Sequence, residues 1–94
     1  MEKTFEWDSE KNRKLIRERG ISFEAIVAHI ENGDILGIVH GKGRYSHQRQ
    51  FIVAVNKYVY IVPFVETRER CFLKTIIPSR KMTKKYLSGG EENG

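Results

Sequence analysis

Between residues 51 and 80 the chain packs three apolar runs, 51–55, 58–65 and 71–77, joined by short polar connections at Asn56-Lys57 and at 66–70. Each run is rich in β-branched and aromatic residues and short enough for a strand, so together they predict an antiparallel meander. Asn56 tolerates the left-handed backbone that a two-residue hairpin turn demands, while Lys57 is a poorer choice there than glycine. The middle run is apolar in both alternating sets, Tyr58, Tyr60, Val62 and Phe64 against Val59, Ile61, Pro63 and Val65. That pattern belongs to a central strand covered on both faces. Pro63 removes one ladder donor, which predicts a bulge or a locally unpaired position.

The rest of the chain must supply the covers. Residues 4–7 alternate, as a short strand or an extended lead-in, and Asp8 is placed to cap a first helix over 9–19, whose apolar stripe is Leu15 with Ile16. Gly20 ends that helix, and Ser22 caps a second one in which Phe23, Ile26, Val27 and Ile30 share a buried side. Asn32-Gly33 stops it. Residues 35–40 form a candidate strand, 41–44 a flexible turn, and 45–55 a strand or a loop that becomes one near Gln50, giving a hairpin. Ser79 can cap a last short helix with Met82, Tyr86 and Leu87 on one side and Lys81, Lys84 and Lys85 on the other. The resulting expectation is an α+β fold: an N-terminal strand and two helices, a four-stranded mainly antiparallel sheet, then a short C-terminal helix. Residues 1–87 form one domain, and 88–94 a disordered tail.

Ninety-four residues hold one domain and no second. No apolar run approaches a membrane span, and the N-terminus lacks the features of a signal peptide, so the chain is expected in the cytoplasm and away from membranes. The single cysteine, Cys71, reads as a core thiol. Seventeen basic against twelve acidic residues leave a net charge of +5, concentrated after Lys42, which favours a polyanion or an acidic protein as partner. His29, His40 and His47 are scattered without ligand spacing, so neither a metal nor a cofactor is expected. Gly41-Lys42-Gly43 lacks the context of a nucleotide fingerprint.

What remains is a set of basic and polar residues at strand ends: Arg44, Tyr45, His47 and Arg49 before Phe51, Arg68 and Arg70 before Cys71, and Arg80 with Lys81 after Ile77. In a meander the starts of the first and third runs share one edge, whereas Arg80 leaves the third run at the other. Each arginine reads either as a solvated strand-end charge or as part of an RNA phosphate site. Cleaving RNA without a metal requires a base for the 2′-hydroxyl proton, a cation for the phosphate charge and an acid for the leaving 5′-oxygen. Guanidinium groups suit the second task. Histidine suits the first or third, which marks His47, otherwise a polar surface residue. Tyr45, Tyr58, Tyr60 and Phe64 read as core or as platforms for exposed bases.

Phe5-Glu6-Trp7-Asp8, then Lys11 and Asn12, then Arg19-Gly20-Ile21-Ser22-Phe23-Glu24, then a meander closing with Ile76-Ile77-Pro78-Ser79-Arg80 resembles the BrnT-like toxins of bacterial type II toxin–antitoxin pairs. The resemblance runs over about residues 5–86. It implies a fold similar to the RelE-type ribonucleases and a toxin that cleaves RNA and inhibits translation. It also implies a cognate antitoxin of ribbon-helix-helix type, through which the complex reaches operator DNA. On this reading the catalytic candidates are His47, Arg80, Arg49 and Arg68, with Lys11, Arg44, Tyr45, Arg70 and Lys81 as nucleic-acid contacts. Asn12 matches a family position that either faces the site or holds a loop. The sequence departs from the commoner pattern at Pro78 and at His47, and the alternative is a non-catalytic basic module that binds an acidic antitoxin or a nucleic acid.

Overall fold

A computed structural model describes residues 3–45 and 48–88, without the side chains of Tyr45 and Ser88. His47 and most of the expected tail, 89–94, lie outside the described residues; Ser88 still belongs to the last helical turn. The elements are β1 (Thr4–Glu6), α1 (Ser9–Arg19), α2 (Phe23–Glu31), β2 (Ile35–His40), β3 (Arg49–Val55), β4 (Tyr58–Glu66), β5 (Arg70–Leu73), β6 (Ile77–Pro78) and α3 (Arg80–Thr83). A tight turn, Gly43–Tyr45, precedes β3, and a wider turn, Lys84–Ser88, continues α3.

The sheet runs β1-β5-β4-β3-β2, with β6 also paired to β4. It is thus larger than the expected four strands. β1 joins it in parallel with β5, Phe5 opposite Cys71, and all other pairings are antiparallel. The third apolar run does not continue as one strand. It ends at Leu73, and Ile77–Pro78 returns to β4 opposite Ile61 and Tyr60. Pro63 marks the reason. Its carbonyl accepts the Lys74 amide at 2.8 Å. The nitrogen of a strand residue points to the same side as its carbonyl, so the missing donor faces the gap between β5 and β6 and costs the β3 ladder nothing. The β3–β4 register is continuous through Gln50↔Pro63, and the one irregularity lies instead in β2 between Ile35 and Gly37.

Both faces of β4 are covered, as its sequence required. On one side Phe51, Val53, Val55, Val62, Phe64, Cys71 and Leu73 form a core with Leu15, Ile21, Phe23 and Ile26 of the helical layer. On the other, Ile52 and Val59 are fully buried. There α3 is anchored: the Val59 amide donates to Thr83 Oγ1, the Ser79 amide to the Val59 carbonyl, and Ser79 Oγ caps the helix by accepting from Met82. The Asn56-Lys57 turn holds φ at 53° and 68°, the left-handed pair that a two-residue hairpin requires.

The helical layer depends on a polar residue that the apolar pattern did not select. Ile16 is 47% exposed, contrary to the stripe expected of α1, whereas Asn12 is buried. Asn12 Oδ1 accepts the Phe23 amide at 2.8 Å, and its Nδ2 donates to Glu24 Oε1 at 2.8 Å. The Phe23 amide is one of the donors that a helix start leaves unmatched, and Ser22 Oγ takes another from Ala25 at 3.0 Å. Asn12 therefore holds the α1–α2 connection. Its donated hydrogen bond is also the main reason the Glu24 carboxyl lies below its ordinary pKa.

Asn12→Ala leaves the Phe23 amide without its partner and is expected to lower stability by about 1–3 kcal/mol, seen as a lower urea midpoint with an unchanged slope. Because the folded-state pKa of Glu24 is depressed, its contribution is present above the unfolded pKa and lost as pH falls through the folded one. The variant should lose less stability over that acid interval than the parent, as paired urea titrations down the acid limb would measure.

Candidate active site at one end of the sheet

The start of β3, the end of β4, the end of β2 and the start of β5 all meet at one end of the sheet, because consecutive antiparallel strands reverse direction. The register aligns specific side chains there. His40 stands opposite Arg49, Arg49 opposite Phe64, and Phe64 opposite Leu73, so the four share a row and a face. Directly opposed side chains lie about 4.5–5.5 Å apart at Cβ, which makes His40 and Arg49 immediate neighbours. The next row joins Glu66, Cys71 and Phe5.

Glu66 is the electrostatic centre of this region. Its Oε1 pairs with Arg49 Nη2, and its Oε2 lies 3.0 Å from Lys3 Nζ. The Arg49 guanidinium is also set 5.3 Å above the Phe64 ring. The ring in turn stacks on Phe51 with centroids 4.0 Å apart. A buried aromatic pair therefore fixes the orientation of a half-exposed cation. His40, Arg49, Phe64, Val65 and Glu66 line one cavity of about 320 Å³.

The sequence candidates divide by position. Arg49 lines that cavity. Arg68 and Arg70 belong to the β4–β5 turn at the same end; Arg68 is exposed, and Arg70 Nε lies 3.6 Å from Glu6 Oε2. Arg44 and Tyr45 lie in the tight turn between β2 and β3, also at this end. Arg80 does not join them. Pro78 opposes Tyr60 whereas Arg49 opposes Phe64, a separation of four β4 residues, or about 13 Å along the strand. Arg80 and Lys81 stand exposed at the start of α3, at the opposite end. Lys11 lies on α1 in a shallow groove with Asp8, Glu10, Arg13, Lys14 and Arg17, none of them a strand-end residue.

Three residues gathered at this end were not singled out from the sequence: His40, Glu66 and Lys3. His40 carried a signal, since it closes the 35–40 strand and the hairpin with residues 49–55 sets it against Arg49. Glu66 and Lys3 meet only through the parallel β1–β5 pairing, which the apolar pattern does not encode. Of the aromatic platforms, Phe64 is fully buried and Tyr60 packs against the core, while Tyr58 is half-buried and meets Tyr60 edge to face at 5.6 Å. Among the described residues no three His, Cys, Asp or Glu side chains form a metal-binding group.

The Cys71 thiol is pushed up to about 11, first by burial and then by the negative charge of Glu66. It is therefore neutral at physiological pH. Iodoacetamide should label Cys71 in folded protein at pH 8 at least about tenfold more slowly than in urea, since the thiolate is the nucleophile. Equal labelling rates, followed by mass spectrometry, would show that this wall of the site opens.

The chain matches the family described as the ribonuclease toxin BrnT of type II toxin–antitoxin systems over residues 7–85. No curated protein matches it. Among solved structures it is similar to the crystal structure of a mutant YafQ from E. coli, with 14% sequence identity, a TM-score of 0.48 and coverage of 86% of this chain and 98% of that one.

Proposed function

This chain belongs to the BrnT family of ribonuclease toxins of type II toxin–antitoxin systems, with a cognate antitoxin as its partner, and on that premise we propose that it cuts RNA internally at the strand-end cavity. The observation that carries the placement is the convergence of His40, Arg49 and Glu66 on one cavity. Arg49 is oriented by the Phe64 ring and is the cation for charge developing on the scissile phosphate, with Arg68 reaching the same strand from the adjoining turn. Phosphate competes with Glu66 for Arg49, and Lys3 retains the displaced carboxylate.

The reaction needs no metal. His40 takes the proton of the 2′-hydroxyl, the 2′-oxygen attacks phosphorus, and the bond to the 5′-oxygen breaks as an acid protonates it. The products are a 2′,3′-cyclic phosphate and a 5′-hydroxyl. His47, two residues before Arg49 in the chain, is our candidate for that acid. Arg44, Tyr45 and Arg70 contact the flanking RNA at this end. Arg80 and Lys81 hold the RNA backbone beyond the scissile phosphate, and Lys11 offers a further contact on α1. Cutting RNA would inhibit translation, an action we assign to the cytoplasm. The antitoxin, of ribbon-helix-helix type, would neutralise it there and carry the complex to operator DNA. Residues 1–87 form the toxin domain.

In a cleavage assay on single-stranded RNA, Arg49→Ala is expected to lower kcat/KM by about 10²–10³-fold, and His40→Ala and His47→Ala each by about 10²–10⁴-fold with loss of one limb of a bell-shaped pH profile. Arg80→Ala should mainly raise KM and flatten the salt dependence. A folded His40→Ala enzyme of full activity would remove His40 from the site. Folded parent protein that binds RNA and never yields cyclic phosphate ends would favour a non-catalytic binding module.

A further inference from the structure

Behind Glu66 lies a second cleft, of about 630 Å³, lined by Lys3, Phe5, Glu31, Phe51, Glu66 and Cys71. Its volume falls within the roughly 300–1,000 Å³ of small-ligand pockets. Glu66 belongs to both this cleft and the cavity of His40 and Arg49, so the two spaces share a wall. The cleft has an aromatic side, where half-buried Phe5 meets Phe51 edge to face at 6.5 Å. Its Cys71 side is uncharged, because the thiol stays protonated.

Its two carboxylates are in different states. Both oxygens of Glu66 are engaged, by Arg49 and by Lys3. Glu31, the exposed last residue of α2, has no ion pair or side-chain hydrogen bond with the described residues. An aromatic surface, a neutral wall and one available carboxylate beside a phosphate-binding cation are the parts of a nucleobase site. A carboxylate offers two acceptors and no donor. On its Watson–Crick edge guanine alone presents two adjacent donors, N1–H and the 2-amino group. Adenine and cytosine place an acceptor nitrogen beside their amine, and uracil sets one N–H between two carbonyls, so each turns an acceptor toward the carboxylate.

We infer that this cleft takes a guanine of the RNA strand adjoining the scissile phosphate, with Glu31 reading its paired donors and Phe5 its ring. The inference deepens the ribonuclease reading and rests on it for the position of the phosphate. An acidic antitoxin segment is the poorer occupant, because it would bring its charge against Glu31 and Glu66.

The test is titration of the full chain with 3′-GMP, 3′-AMP, 3′-CMP and 3′-UMP, followed by amide chemical shifts, for the parent and for Glu31→Gln. Glu31 is exposed and terminal in its helix, so the substitution preserves the fold. The parent should bind 3′-GMP about tenfold or more tightly than the others, the size of one bidentate pair, with shifts at Phe5, Glu31 and Cys71. Glu31→Gln should erase that preference. Equal affinity for the four nucleotides, a guanine preference that survives Glu31→Gln, or shifts at these amides from the antitoxin alone would each overturn the assignment. Cleavage assays keep the two ideas separate: RNA cut by parent and Glu31→Gln with the same base preference defeats the guanine site and leaves the ribonuclease standing. Guanine-selective binding by a protein that never cuts RNA does the reverse.

Discussion

The double burial of β4 is the constraint on which the other elements depend. A nine-residue strand with Val59 and Val62 to Phe64 removed from water on alternating faces needs a layer on each side of the sheet. On one side that layer is α1 and α2; on the other it is the short α3, held by hydrogen bonds to the backbone of Val59. Four helical residues have little stability of their own. Their position follows from β4, through Ser79 and Thr83. Pro63 sets the other consequence. Because its nitrogen cannot donate, the neighbour on that side changes there, β5 pairing beyond it and β6 before it, and the chain between them carries Ile76 into the core.

Antiparallel order, before this break, sets how the charges are distributed. Had the third run continued as one strand, Arg80 would still have left the sheet at the end opposite Arg49, as antiparallel geometry requires. The return of β6 onto β4 adds the α3 layer beyond it, on which Arg80, Lys81, Lys84 and Lys85 stand exposed. The near end is mixed in sign. Glu66 balances Lys3 and Arg49, and Glu6 lies beside Arg70. Partly exposed pairs of this kind contribute at most about 1 kcal/mol each, so their value is in position rather than stability. Lys3 and Arg49 converge on an internal anion, Glu66, which holds the two cations on one carboxylate.

Much of the architecture was legible in the sequence because the signals were local. Asp8, Gly20, Ser22 and Ser79 occupy the cap positions read for them, and the Asn56-Lys57 turn has the expected backbone. The sheet's parallel edge was not legible: three residues of β1 give too short a pattern to specify a partner, and their pairing with β5 spans most of the chain. Asn12 escaped for a different reason. Apolar periodicity marks residues that leave water on their own account, whereas Asn12 is buried because its amide matches a specific backbone donor and a specific carboxylate. Its place in the resemblance to the BrnT family was the only trace of that role.

The site shows the same division between local and distant signals. Arg49, Arg68 and Arg70 were singled out from their positions before apolar runs, and their shared end of the sheet follows from antiparallel order alone. His40 required the register of the β2–β3 hairpin, and Glu66 required the tertiary meeting of β1, β4 and β5. A basic-residue inventory favours the cations and overlooks the carboxylate that arranges them. Once Glu66 is placed, the two cavities share one wall, and in the proposed reading the side of Arg49 and His40 takes a phosphate and its proton transfers while the side of Phe5 and Glu31 takes a base. A nucleotide joins those two groups covalently, so a shared wall is the arrangement that lets one ligand occupy both.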